Sequence, residues 1–151
     1  MILSPHLGAD PEIFVVDNVN ELVSASNIID KEISSAKGSI TNDGMQIELH
    51  PSPSTCRESL IANLFDCLKS AYSLAKGKNL SLSSSFTKSV SEQVLKNLPK
   101  EVIALGCEPD LSVYSGSVKI LNIDGSKHFK RYCGGHIHLG IERCIDDTVE
   151  S

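Results

Sequence analysis

The sequence predicts an α+β domain: a mainly antiparallel sheet, helices packed on one face, and a second, concave face left for a ligand, a partner or solvent. Three observations predict it. Short β-rich stretches recur along the chain with few helices between them, and one long amphipathic helix interrupts them. The third is composition: 151 residues, 40% hydrophobic and 22% charged, match one ordinary globular core. A chain of this length buries roughly 68–70% of its unfolded surface, so folding requires no disulfide or metal staple. Residues 1–151 therefore read as a single domain.

Taken in order, Glu12–Val16 is the first β-rich stretch, and Glu21–Ala25 pairs back on it through the turn-forming Asp17-Asn18-Val19-Asn20. Gly44–His50 alternates as a strand. After Pro51-Ser52-Pro53, Thr55-Cys56-Arg57-Glu58 has the S/T-x-x-E form of a capping box. Leu60, Ile61, Leu64, Leu68, Ala71, Tyr72 and Ala75 then recur at three- and four-residue steps up to Gly77, which predicts a helix of about twenty residues with one buried stripe. Cys67 falls in that stripe as core filling. Leu80–Phe86, Leu111–Tyr114, Val118–Ile123 and His136–Ile141 read as further strands, and Ser91–Leu98 as a short helix stopped by Pro99.

Composition also excludes functions. A net charge of −5 argues against a nucleic-acid surface, because phosphate backbones are held mainly by Lys and Arg. No apolar run approaches the ~20 residues of a membrane span, and the first residues lack the basic flank of a signal peptide. Five cysteines, an odd number without a secretory signal, read as free thiols in a reducing cytoplasm.

The chemistry lies in four pairs of ligand-type residues, each separated by one position: Asp10 and Glu12, Glu48 and His50, Glu108 and Asp110, His136 and His138. Side chains at i and i+2 of a strand share a face, so each pair presents two metal- or proton-handling groups together. Two pairs share a Gly-small-acid-Pro-acid pattern, GADPE and GCEPD. Carboxylates gathered on adjoining strands raise one another's pKa unless a cation neutralises them. Oxygen ligands with an imidazole or two suit Mg²⁺ or Mn²⁺, which bind through a few carboxylates plus substrate phosphates. In Gly134-Gly135-His136-Ile137-His138-Leu139-Gly140 the glycines can offer unobstructed N–H groups to a phosphate, while Ile137 and Leu139 turn to the core. Arg131, in the basic stretch Lys127–Arg131, is the candidate phosphate contact.

GADPE, the strand Gln46-Ile47-Glu48-Leu49-His50-Pro51, GCEPD and GGHIHLG occur in that order. Together they resemble the phage-type carboxylate–amine ligases (COOH–NH2 ligase type 2), relatives of glutamine synthetase and glutamate–cysteine ligase. The resemblance implies a glutamine-synthetase-like antiparallel sheet whose concave face holds Mg²⁺ ions and ATP. It implies an amide-forming ligase working through an acyl phosphate on small-molecule or peptide carboxylates and amines, in a cytoplasm (the host's, if phage-encoded). Carried onto this chain, Glu12, Glu48 and Glu108 would be metal ligands, with Asp10 and Asp110 as ligands or their supports. His136 would contact metal or nucleotide phosphate with Gly134 and Gly135, while His138 and Arg131 would serve catalysis. His50 departs from the small polar residue usual there. Family domains continue past the His-x-His strand, so the expectation is a chain lacking its C-terminal portion, completed by another segment or a homo-oligomer.

Two alternatives stand beside this. One is a non-catalytic nucleotide- or metal-binding remnant, or one half of a split ligase. The other is zinc on Cys133, His136, His138 and Cys144, whose C-x2-H-x-H-x5-C spacing is not a usual finger pattern and leaves the carboxylate pairs unexplained.

Overall fold

The structure is a computed structural model that describes residues 5–103, 114–117 and 124–141. Its strands are mainly antiparallel and its helices few, as an α+β fold requires. The central sheet is built from β2 (Glu12–Val16), β3 (Leu22–Val23), β4 (Ile33–Ser35), β5 (Gly38–Asp43) and β6 (Gln46–Pro51), ordered β3-β2-β6-β5-β4. The short β7 (Ser81–Leu82) also pairs with β2. Beside this sheet lie two two-stranded ribbons: β1 (Pro5–Ala9) with β10 (Ile137–Ile141), and β8 (Thr87–Ser89) with β9 (Lys130–Tyr132).

The strand over Glu12–Val16 forms as the pattern indicates, and β3 pairs back on it. The Asp17 carboxylate accepts from the N–H groups of Val19 and Glu21 at 3.0 and 2.8 Å, which closes the turn between them. Strand β6 starts two residues later than expected because Gly44 is in the turn with φ +59°, joining β5 to β6 across two residues. Burial then alternates along β6. Ile47, Leu49 and Pro51 are buried, whereas Gln46, Glu48 and His50 are half-exposed on the opposite face.

Helix α1 (Arg57–Gly77) covers the buried face of β5 and β6. Its N-cap falls one residue later than the expected box places it. Cys56 is the N-cap, the Ser54 hydroxyl accepts from its N–H at 3.1 Å, and its thiol bonds Glu58 at 3.0 Å, so Thr55 does not cap. The buried stripe is also rotated: Cys67, Ala71 and Ala75 sit at its centre, and Ile61 and Tyr72 are exposed. Small side chains at those centres let the helix lie close to the sheet. There Val15, Ile40, Ile47 and Leu49 complete the main core.

The other face is divided. At one end Phe14, Leu22, Met45, Val90 and Leu95 form a second core under the short α2 (Glu92–Lys96) and α3 (Lys100–Ile103). Ser91 caps α2 as a residue of its type should, its hydroxyl accepting from the Val94 N–H. At the other end the same face is polar, and the candidate site lies there. Of the expected strands, Val118–Ile123 and nearly all of Leu111–Tyr114 lie outside the described residues. Among the described residues, no helix is long and apolar enough to cross a membrane.

Candidate functional site

Strand pairing brings the acid pairs together. Glu12 on β2 lies directly opposite Glu48 on β6, so both carboxylates leave the sheet on one face. On the other side of residues 10–12 runs the glycine-rich turn. The Asp10 N–H donates to the His136 carbonyl at 3.2 Å and the Glu12 N–H to the Gly134 carbonyl at 3.1 Å. Beyond it, β1 and β10 continue the register, with Gly8 opposite His138 and His6 opposite Gly140. The alternation of Cβ directions places His6, Gly8, Asp10 and Glu12 on the same side as Glu48, His50, His136 and His138.

The contacts within this cluster run between acids, imidazoles and turn amides. Asp10 accepts the His136 N–H on one oxygen and meets His138 Nε2 at 2.9 Å with the other. His136 Nδ1 lies 3.3 Å from Asp10 as well. Glu12 accepts the Gly134 N–H at 2.7 Å and, more weakly, the Gln46 amide at 3.4 Å. His50 Nε2 sits 3.2 Å from Glu48 and 2.9 Å from the Thr41 hydroxyl. Burial works to raise the Asp10 carboxyl, but the bonds from His138 and His136 outweigh it and hold the group below its usual range. Glu48 goes the other way. Burial raises it, and the charges of Asp43, Asp10 and Glu12 add to the rise, opposed by His50.

Gly135 has φ +146°, and a Cβ there would meet Pro11 Cα at 2.7 Å. Only glycine permits this turn to close on Pro11.

Several expectations are corrected. Arg131 is not at the site. It is 2% exposed, and its guanidinium donates to the carbonyls of His128, Ile103, Gly125 and Lys130. Arg131 is thus no phosphate arm, because these carbonyls, left over by a short turn and a helix end, need donors, while Lys127 and Lys130 of the same stretch stay exposed. The N–H groups of Gly134 and His136 are engaged by Glu12 and Asp10 rather than presented to a phosphate. Ile137 and Leu139 are 79% and 73% exposed, not core, because β10 lies on a two-stranded ribbon off the main sheet. Cys133 packs against the second core, and burial, with Glu12 nearby, pushes its thiol up to about 12. Glu108, Asp110 and Cys144 lie outside the described residues. Among the described residues, no group of three or more His, Cys, Asp or Glu side chains is arranged to hold a metal ion.

Sequence reasoning missed His6, Thr41, Asp43 and Gln46. The signal for His6 was there, since positions 6, 8, 10 and 12 extend the same two-residue period. The others needed the register of β5 against β6. Compared with known protein families, with curated proteins and with solved structures, the chain finds no match.

Proposed function

We propose that this face belongs to a glutamine-synthetase-like, ATP- and Mg²⁺-dependent ligase that joins a carboxylate to an amine through an acyl phosphate. The single observation that carries the reading is the facing pair Glu12–Glu48 beside Asp10 and Asp43, with Glu48 raised by burial and by these like charges. Such a group favours a cation. The donor set fits a hard one: Glu12 and Glu48 each have, among the described residues, a carboxylate oxygen without a protein donor. Glu12 and Glu48 would hold Mg²⁺ (or Mn²⁺), and the ion would supply charge neutralisation for nucleotide phosphates there. Asp10 serves as a support rather than a ligand, since both its oxygens already orient His136 and His138. His136, largely exposed at the rim, is the residue to meet a phosphate.

In the reaction, an oxygen of the substrate carboxylate bonds the γ-phosphorus as the bond to ADP breaks. The amine nitrogen then bonds the acyl carbon, phosphate leaves, and the amine loses a proton. The chain's own contribution is to bind and orient these groups along one sheet face.

A second reading, a nucleotide- or metal-binding module without catalysis or half of a split ligase, is favoured by Arg131, because its burial removes the expected cation from the phosphate side. Calorimetry with Mg²⁺–ATP separates both from no function at all. Wild type should bind, and a Glu48→Gln, His136→Ala double variant should not. Equal binding by the two proteins sinks the site assignment. Binding without ADP release in the presence of carboxylates and amines selects the module.

A further inference from the structure

Helix α1 carries a second row of side chains besides its buried one. Glu58, Ala62, Phe65, Lys69, Tyr72 and Lys76 follow one another at three- and four-residue steps, the spacing that puts them on one face of a helix. All six are exposed, Phe65 by 64% and Tyr72 by 52%, and no other element of the described residues covers them. Outward aromatics gathered on one helix face mark an interaction surface. Beside the row runs a groove of about 480 Å³, between Phe65, Leu68, Lys69 and Tyr72 of α1 and Ile13 and Leu82 of β2 and β7.

The order of residues along the row selects the occupant. It reads acid, small, aromatic, base, aromatic, base, and its members are spaced symmetrically about Cys67. When a second copy is laid antiparallel on it, with a two-fold axis beside Cys67, Glu58 of each copy meets Lys76 of the other. Tyr72 of each lies on Ala62 of the other, so a large ring fills the space that a small residue leaves. Phe65 of each meets Lys69 of the other, which permits cation–π attraction, and has the groove beside Lys69 to enter. The Lys76 ammonium lies 5.8 Å from the centre of the Tyr72 ring and so stands on this face. Laid parallel, the same row would set Glu58 against Glu58 and lysine against lysine. Two further charges of α1 stay off the row. Arg57 lies about 100° round the helix from Glu58, to which it makes only an exposed pair at 3.0 Å. Asp66 accepts from the Ser35 hydroxyl on the β4 side.

We infer that this row is the contact surface of a homodimer in which two copies of α1 pack antiparallel. One helix pair buries less than a stable interface needs, so the dimer is weak, with a Kd of about 10–300 µM. Helix α1 covers one face of the sheet and the candidate site occupies the other, so pairing leaves the site open and does not rest on the ligase reading.

The test is sedimentation equilibrium of the 151-residue chain from about 10 µM to about 1 mM, with circular dichroism to check the fold of each variant. Wild type should dimerise, and Phe65→Ser should weaken association by about tenfold or more. Glu58→Lys and Lys76→Glu should each weaken it by about fivefold, because each turns both end pairs into like charges. An equimolar mixture of these two variants should regain wild-type affinity, since both end pairs of the mixed dimer are again of opposite sign. A monomer at every concentration overturns the inference and leaves the row to another part of the chain or to a different protein. So does a dimer indifferent to Phe65→Ser, or a mixture that associates no more strongly than its two components.

Discussion

Replacing Arg131 by methionine decides whether this residue serves the ligand or the fold. The guanidinium reaches four carbonyls, at 2.6 Å to His128, 3.0 Å to Lys130, 3.1 Å to Ile103 and 3.2 Å to Gly125. Two of these, to His128 and Lys130, are short-range, part-buried bonds within the adjoining turn and strand. The Gly125 bond is fully buried and the Ile103 bond partly so, and at these two the variant leaves acceptors without donors. At about 1–3 kcal/mol for each buried acceptor, the loss for the two comes to about 2–6 kcal/mol. Burial also presses the guanidinium towards its neutral form, and among the described residues its Nε meets no acceptor, so relief of that cost pulls the figure to the lower end. Urea unfolding followed by circular dichroism should show the midpoint lowered by about 1–2 M for slopes usual in domains of this size. Mg²⁺–ATP affinity of the folded fraction should stay within about twofold, less than 0.5 kcal/mol. A variant as stable as wild type that no longer binds nucleotide would refute the structural role and restore Arg131 as a phosphate contact.

Glu48 makes a prediction with a definite sign. Its folded pKa lies above the ordinary glutamate value, so the folded state holds the proton more tightly than the unfolded state, and the associated stability fades as pH rises through the raised value. Glu48→Gln should therefore raise the melting temperature at pH 7 without metal, and added Mg²⁺ should stabilise wild type more than the variant. A lower melting temperature for the variant under metal-free conditions contradicts the crowding of charge described here. Gly135→Ala forces a Cβ against Pro11 at a φ that other residues avoid, and should cost about 1–3 kcal/mol in thermal unfolding. An unchanged melting curve would show that the turn does not close on residues 10–11.

What the sequence disclosed follows the strength of local signals. Strand β2 and the turn after it were legible because alternation and Asp17 point to one answer. Helix α1 was legible in existence but not in orientation, since its leucines and Ile61 mark a broad stripe while the small Ala71 and Ala75 decide which line touches the sheet. Strands β4 and β5 escaped notice because ISS and GSITND carry almost no apolar alternation, and only pairing with β6 makes them strands. The convergence of Asp10, Glu12, Glu48, His136 and His138 was readable from the two-residue period. Their partners were not. Whether an N–H of Gly134 meets a phosphate or Glu12 depends on how closely two segments approach, and no single segment encodes that distance.

The bonds from Glu12 to Gly134 and from Asp10 to His136 and His138 join positions 122, 126 and 128 residues apart. Contacts of such separation close a long loop and form late, after hairpins such as β5–β6 have already paired. The candidate site is thus assembled at the end of folding rather than at its nucleus. A chain arrested before residue 134 retains the strands that α1 covers but has no imidazoles from β10 to complete the face. Ligand binding would then serve as a clock for the last step of folding, lagging behind the helical signal from α1.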